Sequence, residues 1–154
     1  MTEGAGSARL LSDSLVGSWE LLSREAFTAS GERRIDPSLG EEPVALLVYD
    51  RAGHFAAQFM KRDRTAAPEP ARAIASPNNS IARGGCDAYF GHYTVDDERG
   101  TVTQRLTGAL SAENVGLVLT RAMLVDGDQL TIRLETTTAS GEPVTRTLRW
   151  RRVG

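Results

Sequence analysis

"LVGSWELLS", Leu15 to Ser23, sets a glycine and a tryptophan two residues apart at the head of an apolar alternation. Successive side chains of a strand point to opposite faces, so such a run reads as a strand with one buried face. The same rhythm recurs along the chain at Val16–Phe27, Val44–Tyr49, His54–Lys61, Ala88–Val95, Thr101–Leu110, Leu117–Val125, Leu130–Thr136 and Val144–Arg152. The connectors "TASGE", "DRAG", "DDERG", "DGDQ" and "ASGEP" supply the Gly, Asp and Ser that tight turns use for positive φ or side-chain capping. The pattern is that of an all-β chain of about eight or nine hairpin-linked strands. Such a run must pair its edges or leave them open. Closure as an up-and-down antiparallel barrel of about 8–10 strands leaves an interior filled by side chains or by one small ligand.

The length of 154 residues suits a single domain with one substantial core. We expect residues 1–14 to form a flexible tail and residues 15–154 the barrel domain. With 18 basic and 20 acidic residues intermixed and a net charge of −2, no field of either sign is sustained. Nucleic acid and an anionic membrane are therefore not expected as partners. Cys86 is the single cysteine, so no intrachain disulfide forms, and no Cys or His cluster has metal-ligand spacing. No motif for a cofactor appears, and none is expected. "MTEGAGSARLLSDS" lacks the charged start and apolar run of a secretory signal, and no window approaches the ~18 apolar residues of a transmembrane helix. The expected location is the cytoplasm, as a monomer or a homodimer.

Between Lys61 and Gly85 the rhythm stops. "RDRTAAPEPARAIASPNNSIARGG" is rich in Ala, Pro and Ser, and its prolines at 68, 70 and 77 exclude a continuous helix or central strand. A long loop with a helical turn around Ala71–Ala75 is expected, lying over a barrel mouth as a lid or left disordered.

Gly17-x-Trp19 resembles the first-strand signature of the lipocalin superfamily, where the tryptophan plugs the closed end beside a basic residue of the last strand. Arg149, Arg151 and Arg152 around Trp150 are the candidates for that residue. Leu15–Ser23, Pro43–Tyr49, "AYFGHYTVDDERGTVT" (Ala88–Thr103) and "TRAMLVDGDQLTI" (Thr120–Ile132) together resemble the lipocalin-like domain family of small bacterial and fungal proteins, in the same order from Leu15 to Val153. Gln104 departs from that pattern, where a histidine is frequent, as does Leu119, where a polar residue often stands. The resemblance implies a closed calycin-type barrel much more firmly than it implies a reaction.

Arg121 shares a strand face with Leu117, Leu119, Met123 and Val125. A guanidinium facing an apolar interior is costly unless paired, and its planar fork suits a carboxylate, enolate or carbonyl. It reads either as a lumen anchor for a ligand oxygen or as half of a structural ion pair. Tyr89 and Tyr93 share a face with Gly91, whose lack of a side chain leaves space beside them. Their phenols would donate to a ligand carbonyl or be satisfied within the core. His54 and Gln58 lie on one face with Ala56 and Met60, opposite Phe55, Ala57 and Phe59, and alternation does not decide which face is the lumen. If the polar face is inward, His54 is the best proton carrier in the chain.

Three function classes remain. The first is a binding module that holds a small hydrophobic or amphipathic metabolite through Gln58, Tyr89, Tyr93, Gln104 and Arg121, with a place in secondary metabolism. The second is a cofactor-independent cyclase or isomerase of a polyketide-like or terpenoid-like substrate, with Arg121, Tyr93 and His54 as catalytic groups. The resemblance permits it, because lipocalin-like barrels include such cyclases, and the chemistry needs only shape, dryness and oriented donors. The third is a partner-binding protein with a plugged lumen. Asp96-Asp97-Glu98 and Asp126-Gly127-Asp128 fall in hairpin turns and read as solvated turn chemistry.

Overall fold

The computed structural model describes residues 9–63 and 77–154. The strands are β1 (Gly17–Phe27), β2 (Arg33–Arg34), β3 (Val44–Tyr49), β4 (His54–Met60), β5 (Cys86–Asp96), β6 (Thr101–Ala109), β7 (Val118–Asp126), β8 (Gln129–Thr137) and β9 (Pro143–Arg152). Each pairs antiparallel with the next from β3 to β9, β1 pairs with β3, and β1 also pairs with β9. That last ladder, Trp19↔Arg152 through Phe27↔Thr145, closes a barrel of eight strands, with β2 a short flap on the end of β1. Closure leaves no long edge exposed.

Alternation holds along the wall. β4 reads exposed–buried in strict period, with Phe55, Ala57 and Phe59 inside and His54, Ala56, Gln58 and Met60 outside. β7 does the same, with Leu119, Arg121 and Met123 inside. β6 breaks the period opposite Phe90 and Gly91, and so does β1. Between Leu21 and Ser23 it carries a bulge, two residues facing one on β9, and the inward phase passes from Trp19 to Arg24 and Ala26.

One end is plugged. Trp19 is fully buried, its indole Nε1 donates to the Leu15 carbonyl at 3.0 Å, and the Arg152 guanidinium lies 4.3 Å over its ring. Arg152 also donates to the carbonyls of Ser14 (2.6 Å) and Val16 (2.9 Å), so the last strand is clamped to the first through a cation–π contact and two charge-assisted hydrogen bonds. Gly17 sits at φ +144°, where a Cβ would meet the Gly154 carbonyl oxygen and Arg152 Nη1, so this position requires glycine. Residues 9–14, assigned above to the tail, include a helical turn, α1 (Leu11–Ser14), held over this end by Ser12 bonds to the Asp97 carboxylate. Residues 1–8 lie outside the described residues. No helix among the described residues is long and apolar enough to cross a membrane.

The other end is where the loop returns. Residues 64–76, which include the turn expected at Ala71–Ala75, lie outside the described residues. From Pro77 the chain crosses the barrel mouth. Thr136 Oγ1 donates to the Pro77 carbonyl at 2.6 Å, and the side chain of buried Asn114, in a 3-10 turn after β6, brackets the peptide groups of Ile81 at 2.8 and 2.9 Å.

Candidate functional site

The inward side chains near the mouth are polar although those around the plug are not. A cavity there is lined by apolar Leu39, Leu47, Ala57, Phe59, Ile132, Leu134 and Leu148, and into this wall project Arg24, Tyr49, Asp87, Tyr89, Gln104, Arg121, Arg146 and Trp150. About 50 Å³ lies clear of the walls, within about 500 Å³ of empty space that includes the open mouth. That clear volume falls below the ~300–1,000 Å³ usual for ligand pockets. The open mouth therefore has to contribute room for anything larger than a few waters.

Three guanidinium groups meet in this lumen. Arg24, turned inward by the bulge, pairs with Asp36 at 3.2 Å. Asp36 is fixed by the Ser38 amide and hydroxyl, and although burial opposes it, Arg24, those hydrogen bonds and Arg146 hold its carboxyl below the usual range. Arg146 stands between Ala26 and Leu134 in the ladder and is buried, with Nη1 lacking any hydrogen-bond partner among the described residues. Burial and the neighbouring Arg24 bring its pKa down to about 10. Arg121 donates through Nη1 to Asn78 Oδ1 at 2.8 Å and to the Thr120 carbonyl at 3.3 Å, and burial lowers its pKa also. It makes no ion pair with a described residue, so the structural-pair reading of Arg121 finds no acidic side chain to support it.

Asp87 is the acidic counterpart. It is buried, accepts a hydrogen bond from the Ser80 hydroxyl on Oδ2, and leaves Oδ1 unpartnered among the described residues. Burial pushes its pKa up to about 6. Tyr89, next inward on β5, is raised to about 12 by burial and the adjacent Asp87. Tyr49 donates to Gln104 Oε1 at 3.1 Å, and its phenol is driven well above its ordinary range by burial.

The structure thus brings together three of the residues named from sequence, Tyr89, Gln104 and Arg121, and separates the others. His54 and Gln58 stand on the outer wall. The His54 backbone and ring hydrogen-bond the Asp50 carboxylate, and the ring lies 5.0 Å from His92 beside an open hollow of about 410 Å³ on the outer wall. The larger Phe55, Ala57 and Phe59 face takes the interior because it buries more apolar surface. Tyr93 faces inward toward the plugged end, where its ring packs edge-on to Tyr49 and its hydroxyl donates to the Asp50 carbonyl at 2.6 Å. The space expected beside Gly91 is absent: a Cβ there would collide with the Arg105 carbonyl, because β6 runs close across a second bulge.

Arg24, Asp87 and Arg146 were missed. Parity sets Arg146 on one face with Leu148 and Trp150, a signal that points inward. Asp87 lies one residue before the expected start of its strand, in phase with Tyr89. Arg24 had no signal, since the bulge that turns it inward leaves no mark in the alternation.

An eight-stranded up-and-down barrel, plugged by a Gly-x-Trp strand at one end and opening on a lumen at the other, is the architecture of the lipocalin-like proteins. The chain belongs to the lipocalin-like domain family, whose model matches residues 16–153. That fold is suited to holding small molecules in general. Comparison with curated protein sequences gives no match.

Proposed function

We propose that this protein binds a small amphipathic molecule in the barrel lumen, entering from the end crossed by residues 77–82. The observation that carries the reading is a cavity with apolar walls on which polar and charged side chains converge, three of them with atoms left unpartnered among the described residues: Asp87 Oδ1, Arg146 Nη1 and Trp150 Nε1. A buried polar group without a partner costs ~1–3 kcal/mol, a cost that a bound ligand or water removes. A plugged, purely structural core would have no use for three such groups around one space. Native mass spectrometry of freshly purified protein, with intrinsic tryptophan fluorescence titrated against a library of amphipathic small molecules, tests this. A retained adduct or saturable quenching is expected. Neither in wild-type protein would overturn the reading.

A second reading, as a cofactor-independent cyclase or isomerase, is favoured by Asp87. Its carboxyl, held at about 6 in a lumen that also contains Arg121 and Arg146, is tuned for proton transfer near neutral pH, with guanidinium donors available for a developing oxyanion. In this reading Asp87 takes the role expected above of His54. A turnover assay would separate it from simple binding: Asp87→Asn should lower the rate at least a hundredfold and leave ligand affinity within a few-fold.

A further inference from the structure

We infer that the lumen is built for an organic acid, with the carboxylate of the ligand taken by Arg146. The inference rests on the lumen-binding reading above and adds the charge of the ligand to it. Three arginines, 24, 121 and 146, line the cavity together with the acidic Asp87. Among the described residues Arg24 has its own carboxylate in Asp36, Arg121 is held by an amide and a peptide carbonyl, and Arg146 forms no ion pair. Asp87 offsets one charge of the three but is not paired with Arg121 or Arg146, since its described hydrogen bond is to Ser80. The lumen therefore carries an excess of positive charge, located on a side chain that is 6 % exposed and has a free donor.

A buried guanidinium with an open Nη position is costly in the empty protein and becomes favourable when a carboxylate fills the fork. A neutral ligand would leave that charge with only the through-space attraction of Asp36, which is itself paired with Arg24. The Trp150 Nε1–H, unpartnered among the described residues and 1 % exposed on the same cavity, adds a second donor, and the apolar lining beyond takes the hydrocarbon part of the acid. Asp87 Oδ1 provides an acceptor on the same cavity, which suits an acid that also carries a hydroxyl.

The test uses matched pairs, the straight-chain acids from butanoate to decanoate against the alcohols of the same lengths, titrated by calorimetry into the full-length protein at pH 7.5. A hydrogen-bonded charge makes the acid bind about tenfold to a hundredfold tighter than its alcohol. Arg146→Met should erase that preference and leave alcohol affinity unchanged. Trp150→Phe, which keeps the ring and deletes the donor, should reduce it several-fold. Equal affinity for acids and alcohols in wild-type protein, or a preference that survives Arg146→Met in a folded variant, overturns the carboxylate assignment alone. If neither series binds, the lumen-binding reading falls and takes this inference with it. Should Arg146→Met not fold, the comparison of acid with alcohol in wild-type protein and in Trp150→Phe still decides.

Discussion

Asp87 enters the lumen with Ser80 as its hydrogen-bond donor and has no cation within ion-pair distance among the described residues, which sets the sign of its effect on stability. An unfolded aspartate titrates near ~3.9, whereas here burial raises the group to about 6. Between those values the folded chain keeps a proton that the unfolded chain has released, so stability falls as pH rises across the window. The difference corresponds to roughly 3 kcal/mol at pH 7. Asp87→Asn abolishes the titration and keeps an acceptor for Ser80. Its stability relative to wild type should be near zero at pH 4 and reach about +2–3 kcal/mol at pH 7. Urea denaturation at the two pH values checks this, and a gain that does not grow with pH would mean that a cation compensates the carboxylate. Individual residues were legible to different degrees. Trp19 was readable because a glycine-spaced tryptophan heads a strand. Arg121 was readable because it is the one charge in its apolar phase. Arg24 was hidden by a bulge, and the direction of His54 was ambiguous until the apolar mass of Phe55 and Phe59 was weighed as a whole.

At the scale of elements, the segment Pro77–Ala82 is held by the burial of Ile81 and Ala82 and by hydrogen bonds reaching it from β7, β8 and the turn after β6. Asn114, with no exposed surface, donates to the Ile81 carbonyl and accepts from its amide, Arg121 holds Asn78, and Thr136 holds Pro77. Asn114→Ala would orphan both peptide groups of Ile81. The expected cost is about 2–3 kcal/mol, accompanied by faster amide exchange over residues 79–83 and unchanged exchange in β8 and β9. Loss of protection throughout the barrel would instead show that this segment folds as one unit with the sheet. The strands themselves were legible to within a residue or two, because one buried face enforces period two. The mouth was not. Leu39, Asn114 and Ile81 are buried by segments with no periodicity, and a loop that docks through peptide hydrogen bonds has the same composition as one that does not.

Taken as a whole, the barrel divides its work between its ends, and the division can be measured. The plugged end combines the fully buried Trp19, the Arg152 clamp and α1, all of which act in the folded state and none of which lines the lumen cavity. Near the mouth, Arg121 sits buried with an amide for a partner, an arrangement in which a charge is tolerated at some cost to stability. Trp19→Ala should therefore lose about 3–5 kcal/mol, as truncation of a buried aromatic does, while affinity for an acid probe measured well below the melting temperature changes less than about threefold. Arg121→Met fills similar space without a charge. It should change stability by less than about 1 kcal/mol, because no described carboxylate is left behind unpaired, and weaken the acid about tenfold through the lost positive potential and the loosened Asn78. The two positions share no hydrogen-bond partner, so the double variant should lose the sum of the single costs to within about 0.5 kcal/mol. Thermal denaturation and calorimetry on the three variants give all of these quantities. A Trp19→Ala protein that binds as poorly as Arg121→Met would show that plug and lumen form one cooperative unit, and an Arg121→Met protein that melts early yet binds normally would make Arg121 a strut for the crossing segment.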